Sequence, residues 1–373
     1  MIAGNARLRW QAALLLALVA VLHAPASLAA DSDYLGLLRA RDLTPFGFVR
    51  LDMRPAHAVA APKGTWAVEL ELAQQNTWAL SSNVEDYLET LDGRRELGPA
   101  ELAAIQALPG ESYLVDLELA ELDLTIHHKF SSHWGGYVVL SAVSYGGGFL
   151  DGAIEQFHEA LGFGPFGRPA ARRYDTNWIS NLKSGEQLGF LEFPTRGGFL
   201  DPTVGLRYSL AKQVRGWNVV VEAAAKLPVQ GRDPFLSTGR ADYGLQTTLQ
   251  RFSDHHAWYV SGSAVYYDGR TNVTPTPAQV IPTLVVGYER RLSPETHLIL
   301  QGYVSDSIYT RRETELSALL DTKYQLSLGV YRRMGRGVLS FAITENIQNF
   351  NNTPDLGLQL GWAYSPVLEV RED

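Results

Sequence analysis

No cysteine occurs among the 373 residues, which excludes a disulfide scaffold, thiolate-held zinc or iron–sulfur, a thiol nucleophile and a lipid anchor on sulfur. Charge is scarce too, at 19% of residues, and the net value is −8. A chain of that sign lacks the basic surface that nucleic-acid phosphates demand, so no nucleic-acid partner is expected. Beyond the first 30 residues no uninterrupted apolar stretch reaches 18 residues, which excludes membrane-spanning helices. What is abundant is hydrophobic content (46%), glycine (34 residues) and aromatics (10%). Such a chain has to bury apolar surface somewhere.

Residues 1–30 read as an export signal. Arg7 and Arg9 form a basic start, Ala12 to Leu22 are apolar but short of a bilayer span, and Ser27-Leu28-Ala29 supply small residues for cleavage. Residues 31–62, with Pro45, Pro55 and Pro62, read as an extended periplasmic lead-in. Residues 63–373 form the third unit. Here apolar and polar residues alternate with period two, the pattern of a sheet with one face in lipid and one in water. Trp66, Val68, Leu70 and Leu72 alternate with Ala67, Glu69 and Glu71. Tyr324, Leu326, Leu328 and Val330 alternate with Lys323, Gln325, Ser327 and Gly329. Leu356, Leu358, Leu360, Trp362 and Tyr364 alternate with Gly357, Gln359, Gly361 and Ala363. Residues 115–126 change phase at Ala120 and Glu121, which predicts a β-bulge. Connections alternate between short turns (129–134, 212–216, 252–256, 291–295, 332–336) and longer loops, the longest being 147–200.

These patterns predict an all-β fold, a transmembrane antiparallel β-barrel of about twelve strands in the outer membrane, with short turns periplasmic and long loops outside. The alternative is an exported β-sandwich, whose strands also alternate. An amphipathic helix is expected in the long extracellular loop, with Leu150, Ile154, Phe157 and Leu161 on one stripe, serving as a lid or capping the rim. Trp66, Trp217, Trp362 and Tyr364 are the expected membrane girdle. The lumen-facing candidates are Glu69, Glu71, Asp116, Glu118, Asp123, Arg207, Glu222, Lys226 and Lys323. They imply either an acidic wall that favours cations or a closed network of ion pairs.

Three stretches carry a resemblance. GGGFLDGAIEQFHEALGF from Gly146, KLPVQGRDPFLSTGRADYG from Lys226 to Gly244 and ENIQNFNNTPDLGLQLGWAY from Glu345 to Tyr364 resemble a family of uncharacterised proteobacterial outer-membrane β-barrel proteins. The Leu-Pro-x-x-Gly segment with Ser237-Thr238-Gly239 and Asp242 is also similar to barrels regarded as transporters of aromatic or apolar compounds. The resemblance implies fold and location and supplies no catalytic residue. One departure is the tail from Ser365 to Asp373, which extends past the terminal aromatic position Tyr364.

The expected function is passive or facilitated passage of a small solute. Two others are weighed against it: a non-conducting structural or adhesin-type barrel that binds lipopolysaccharide or a partner through its loops, and an outer-membrane lipid hydrolase. The last needs a serine and a histidine in contact. His127, His128 and His133 near Ser131 and Ser132, His255 and His256 near Ser253 and Asp254, and His158 are weak candidates, so no catalytic residue is assigned. Adjacent histidines on a strand diverge, so no metal is expected, and no cofactor. Outer-membrane lipids, lipopolysaccharide and the barrel-assembly machinery are the expected partners. Arg172, Arg173, Tyr174 and Trp178 are candidates for lipopolysaccharide contact.

Overall fold

The computed structural model describes residues 34–39, 41–57, 62–162, 164–231, 233–267 and 278–364. The signal-peptide reading of residues 1–30 and the tail after Tyr364 lie outside the described residues. Twelve antiparallel strands form a closed wall: β1 (Trp66–Leu80), β2 (Ser112–Lys129), β3 (Trp134–Gly146), β7 (Thr203–Ser209), β8 (Asn218–Lys226), β9 (Asp242–Phe252), β10 (His256–Tyr267), β11 (Gln279–Arg291), β12 (Thr296–Ser305), β13 (Lys323–Met334), β14 (Gly337–Gln348) and β15 (Leu356–Tyr364). Pairing of β1 with β15, from Val68 opposite Tyr364 to Asn76 opposite Leu356, shuts the ring. Three further strands, β4 (Asn177–Asn181), β5 (Gln187–Phe190) and β6 (Gly197–Phe199), belong to the long loop. So does α3 (Asp151–Leu161), while α1 (Ser82–Glu89) and α2 (Pro99–Gln106) fill the acidic connection after β1.

The period of two decides which side of the ring each residue occupies. Leu326, Leu328 and Val330 are exposed, whereas Lys323, Gln325 and Ser327 between them are buried. An apolar exterior around a polar interior is the arrangement a bilayer demands of a closed sheet. Aromatic and large apolar residues crowd the exterior at both ends: Trp66, Trp134, Trp362 and Tyr364 where the turns are, and Phe199, Tyr243, Tyr266 and Phe350 where the loops are. Trp66, 58% exposed, stacks on the His128 ring at 4.2 Å. Trp217 departs from the expected girdle. It is buried, with the Arg251 guanidinium 5.8 Å from its ring centroid. Replacing Leu328 by Arg is expected to cost about 2–4 kcal/mol for a barrel refolded in bilayers and almost nothing for a water-soluble one; urea titration in liposomes distinguishes them.

β1 and β2 have 15 and 18 residues, longer than the ~9–11 a tilted strand needs to cross a bilayer. Their upper parts therefore project, and this explains the phase change near Ala120. No bulge exists there: the register runs without a shift from Trp66 opposite His128 to Leu80 opposite Leu114. Instead both faces of the upper half are covered. Val115, Leu117 and Leu119 point inward to an apolar core with Leu43, Phe46 and Phe48. Trp78, Leu80 and Leu114 point outward into a second core with Val84, Leu88, Ile105 and Ile179 from the loops. Asp116 and Glu118 alternate with the inward set, so they lie on the outer side beneath that loop layer and not in the lumen.

The largest departure from the sequence reading concerns the N-terminal segment. Residues 34–39 and 41–57 do not extend away from the barrel; they run up its interior, reverse at 45–50 and descend. Near the turn end the backbone amides of Leu35 and Gly36 donate to Glu289, at 2.9 and 3.0 Å. Higher up, Lys323 donates to Asp42 and Thr44, at 2.5 and 2.7 Å. At the bend, Lys226 donates to the Val49 carbonyl at 2.5 Å. On the way down, Gln246 and Gln250 donate to the carbonyls of Arg54 and Ala56, at 2.8 and 3.0 Å. The two arms meet again where His57 Nε2 lies 3.0 Å from the Tyr34 carbonyl. Having no regular secondary structure, the segment satisfies its backbone through side chains of the wall, as any buried polar backbone must.

The wall is shaped for this occupant. An added Cβ at Gly287 would sit 2.0 Å from Leu37, at Gly329 2.8 Å from Leu38 and at Gly244 2.5 Å from Met53. Those three inward glycines form seats for three apolar side chains.

Candidate functional site

The interior splits into an apolar side and a charged side. On β9 to β14, Tyr34, Leu37 and Leu38 pack against Phe252, Tyr259, Val285, Ile299 and Tyr331. Toward β1 and β2 the segment reaches the wall through arginines. Arg39 forms a two-pronged bond with Glu69, both contacts at 3.2 Å. Arg41 meets Glu121 at 2.8 Å, and Arg54 pairs with Asp123. Glu71 lines the same interior. Within the wall itself Arg207 pairs with Glu222 at 2.8 Å, and Lys226 with Asp242 at 2.9 Å. The acidic wall read from the sequence is thus neutralised by the N-terminal segment. Broken singly, a buried pair of this kind leaves an unpartnered charge, so the network holds as a unit.

Space remains on the charged side. A cavity of about 200 Å3 opens at the turn end, bordered by Arg39, Glu69, His127, Arg207, Tyr331 and Gln359. A second of about 60 Å3 lies deeper, between the segment and β2, β3, β7 and β8. Arg39, Glu69, His127 and Arg207 border both. At the loop end the interior is sealed by aromatic packing. Phe46 lies 5.9 Å from Tyr113, 6.2 Å from Trp178 and 6.1 Å from Tyr309, between ring centroids. Trp178, a candidate for surface contact, is buried in this seal.

The loop layer is held by its own ion pairs. Arg168 binds Asp151, at the start of α3, at 2.8 Å, and also binds Asp355 and Asn76. Glu118 accepts from the amides of Phe149 and Leu150, at 3.1 and 2.6 Å. Leu150 and Ile154 are buried and Phe157 is exposed; the Leu161 side chain is outside the described set. This helix packs against the outer side of β1 and β2, at Asn76 and Glu118, while the lumen is occupied by the N-terminal segment. On the surface, Glu155 accepts from Arg94 and Arg173, tying the two longest loops together. Arg172 is exposed and pairs with Glu96 at 2.8 Å.

Glu186, in the β4–β5 connection, is buried, and among the described residues only the Ser180 hydroxyl donates to its carboxyl, at 2.9 Å. Burial pushes its carboxyl up to about 7, against the smaller opposing effect of Ser180. Between its ordinary range and that value the folded loop holds a proton that the unfolded chain has released. Stability conferred by this group is therefore present in acid and lost as pH rises to about 7, an effect on the order of 3 kcal/mol. Amide exchange in β4 and β5 is expected to quicken from pH 5 to 7.5, corrected for intrinsic rates, and Glu186→Gln to abolish that dependence.

Serine and histidine do not meet at the turns considered for hydrolysis. Ser131 Oγ accepts from the His133 and Trp134 amides, Ser253 Oγ donates to the His256 carbonyl, and the His256 ring contacts Tyr288. The residues the sequence reading passed over are Arg39, Arg41, Asp42 and Arg54 of the segment, and the Glu289–His297 pair, 2.6 Å apart and fully buried. A surplus of lumen-side carboxylates without cationic neighbours on the same strands was the available signal.

Comparison with known proteins finds outer-membrane barrels among the similar structures. The COG4313 outer membrane channel from Pseudomonas putida F1 superposes with a TM-score of 0.49 at 10% identity, covering 84% of this chain and all of that one. The NanC porin gives 0.42 at 6% identity, covering 80% and 98%. Outer membrane phospholipase A from Escherichia coli gives 0.34 at 12% identity, covering 83% and 95%. Scores below 0.5 carry no argument about cargo or chemistry, and the barrel stands on its own strand pairing. No curated protein matches the sequence. A family model does, over residues 12–365, and the chain belongs to that family, described as a protein of unknown function, DUF3187.

Proposed function

We propose that this protein is an outer-membrane barrel that passes a small polar solute along one side of the N-terminal segment occupying its lumen. The observation that carries the reading is the pair of adjoining cavities on the charged side, which penetrate from the turn end while the opposite side of the segment is packed tight. Support for the location comes from the apolar exterior with aromatics at both rims and from the export signal in the sequence. The turn end then faces the periplasm, and lipids, lipopolysaccharide and the assembly machinery are the partners of the outer wall.

A second reading, a non-conducting structural barrel whose loops bind outside the cell, is favoured by one feature: the aromatic seal around Phe46 closes the loop end. We assign no catalytic activity. Planar-bilayer recordings of the intact protein and of a variant lacking residues 34–57 test the proposal. Small, flickering steps for the first and large, steady ones for the second are expected. Silence from both overturns the passage reading in favour of the scaffold.

A further inference from the structure

The passage is lined by charges that already neutralise one another, and this restricts what can enter it. Arg39 and Glu69, bonded to each other at 3.2 Å, border the 200 Å3 cavity, and Arg207–Glu222 and Arg54–Asp123 follow beside the deeper one. Each belongs to a buried or half-buried set in which removing one member leaves the other without a counter-charge. An anion drawn to Arg39 leaves Glu69 with the His127 ring at 3.4 Å in place of a fixed charge; a cation drawn to Glu69 strands Arg39; a neutral apolar molecule parts them and compensates neither. A solute with an ammonium and a carboxylate on a short chain serves both partners at once. The pair opens around it with every charge still met.

We infer that the charged side of the lumen is a binding site and route for small zwitterions of the amino-acid type, taken between Arg39 and Glu69 and handed on toward Arg207–Glu222. The inference deepens the passage reading and rests on it only for transport, since binding in the outer cavity is independent of onward movement. The site is built from both the segment and the wall. Arg39 is fixed by its two-pronged geometry and by a further bond to the Pro55 carbonyl, which ties the ascending arm to the descending one.

The test uses three probes of similar size: 4-aminobutyrate, butyrate and n-butylammonium. Efflux of each radiolabelled probe from liposomes holding the full-length protein is compared with that from liposomes holding Arg39→Gln/Glu69→Gln, which removes both charges and keeps polar side chains. Saturation-transfer NMR on detergent-solubilised protein reports binding separately. Efflux of 4-aminobutyrate at least tenfold faster than the other two, with the preference lost in the double variant, is the expected result. Binding of 4-aminobutyrate that the double variant loses, without efflux of any probe, upholds the site and overturns passage. Equal efflux of all three, or faster efflux of a singly charged one, overturns the zwitterion inference and leaves passage standing. Absence of both binding and efflux overturns both.

Discussion

Deleting residues 34–57 is expected to turn a nearly closed barrel into a steady, cation-preferring pore. The segment supplies Arg39, Arg41, Arg50 and Arg54 against Asp42 and Asp52, so its removal strips more positive than negative charge from the lumen. The wall left behind carries Glu69, Glu71, Glu121, Asp123, Glu222, Asp242 and Glu289, opposed by Arg207, Lys226 and Lys323. A water-filled ring of that composition attracts cations. Reversal-potential measurements in a potassium chloride gradient are expected to show a severalfold preference for potassium, reduced by Glu69→Gln/Glu71→Gln in the same background. The wall's own ladder is complete without the segment, from β1 paired with β2 round to β15 paired with β1. A deletion variant that refolds yet remains silent would mean that the loop layer, and not the segment, is the barrier.

Lys323→Met is expected to loosen the segment more than any comparable change on its apolar side. The Lys323 ammonium is buried and donates to Asp42, Thr44 and the Phe46 carbonyl. Its loss leaves the Asp42 carboxylate with Thr44, through the amide at 3.0 Å and the hydroxyl at 2.7 Å, and with the more distant Arg50 guanidinium at 3.8 Å. Breaking one partner of a buried pair costs about 3–5 kcal/mol, which is roughly two to nearly four powers of ten in the opening equilibrium. Amide exchange or protease cleavage within residues 41–50 reads this directly. The companion variant Lys323→Met/Asp42→Leu removes both charges and is expected to recover much of the protection. If the single and double variants exchange alike, the ion pair does not hold the segment.

The barrel was legible in the sequence because a strand writes its two environments into alternate residues. Lys323 to Val330 and Leu356 to Tyr364 show this without help from tertiary structure. The short turns were legible for a related reason, since a connection such as 253–255 leaves little room for anything else. The N-terminal segment was not legible. Its prolines suggested an extended chain, and a chain that takes its hydrogen bonds from Glu289, Gln75, Gln246 and Gln250 of distant strands has no period of its own. The phase change in β2 misled for the opposite reason. The pattern was read correctly as a change of environment, but the cause is a strand leaving the lipid layer, covered above by loops on one side and by the segment on the other. Asp116 and Glu118 were assigned to the lumen because the bulge was assumed. Of the charged candidates, Glu69, Glu71, Arg207, Glu222 and Lys226 do border one or both cavities; Arg207 and Glu222 pair with each other and Lys226 with Asp242 in the wall, but the partner of Glu69, Arg39, came from a region that the sequence reading had set aside.

Both arms of the enclosed segment leave through the same opening, with the Tyr34 carbonyl and the His57 ring side by side. Among the described residues nothing is therefore threaded through the ring, although this stretch precedes the first strand in the chain. Biogenesis can zip the seam between first and last strands before or after the stopper is seated, so a detached peptide of the same sequence has a route home into an emptied cylinder.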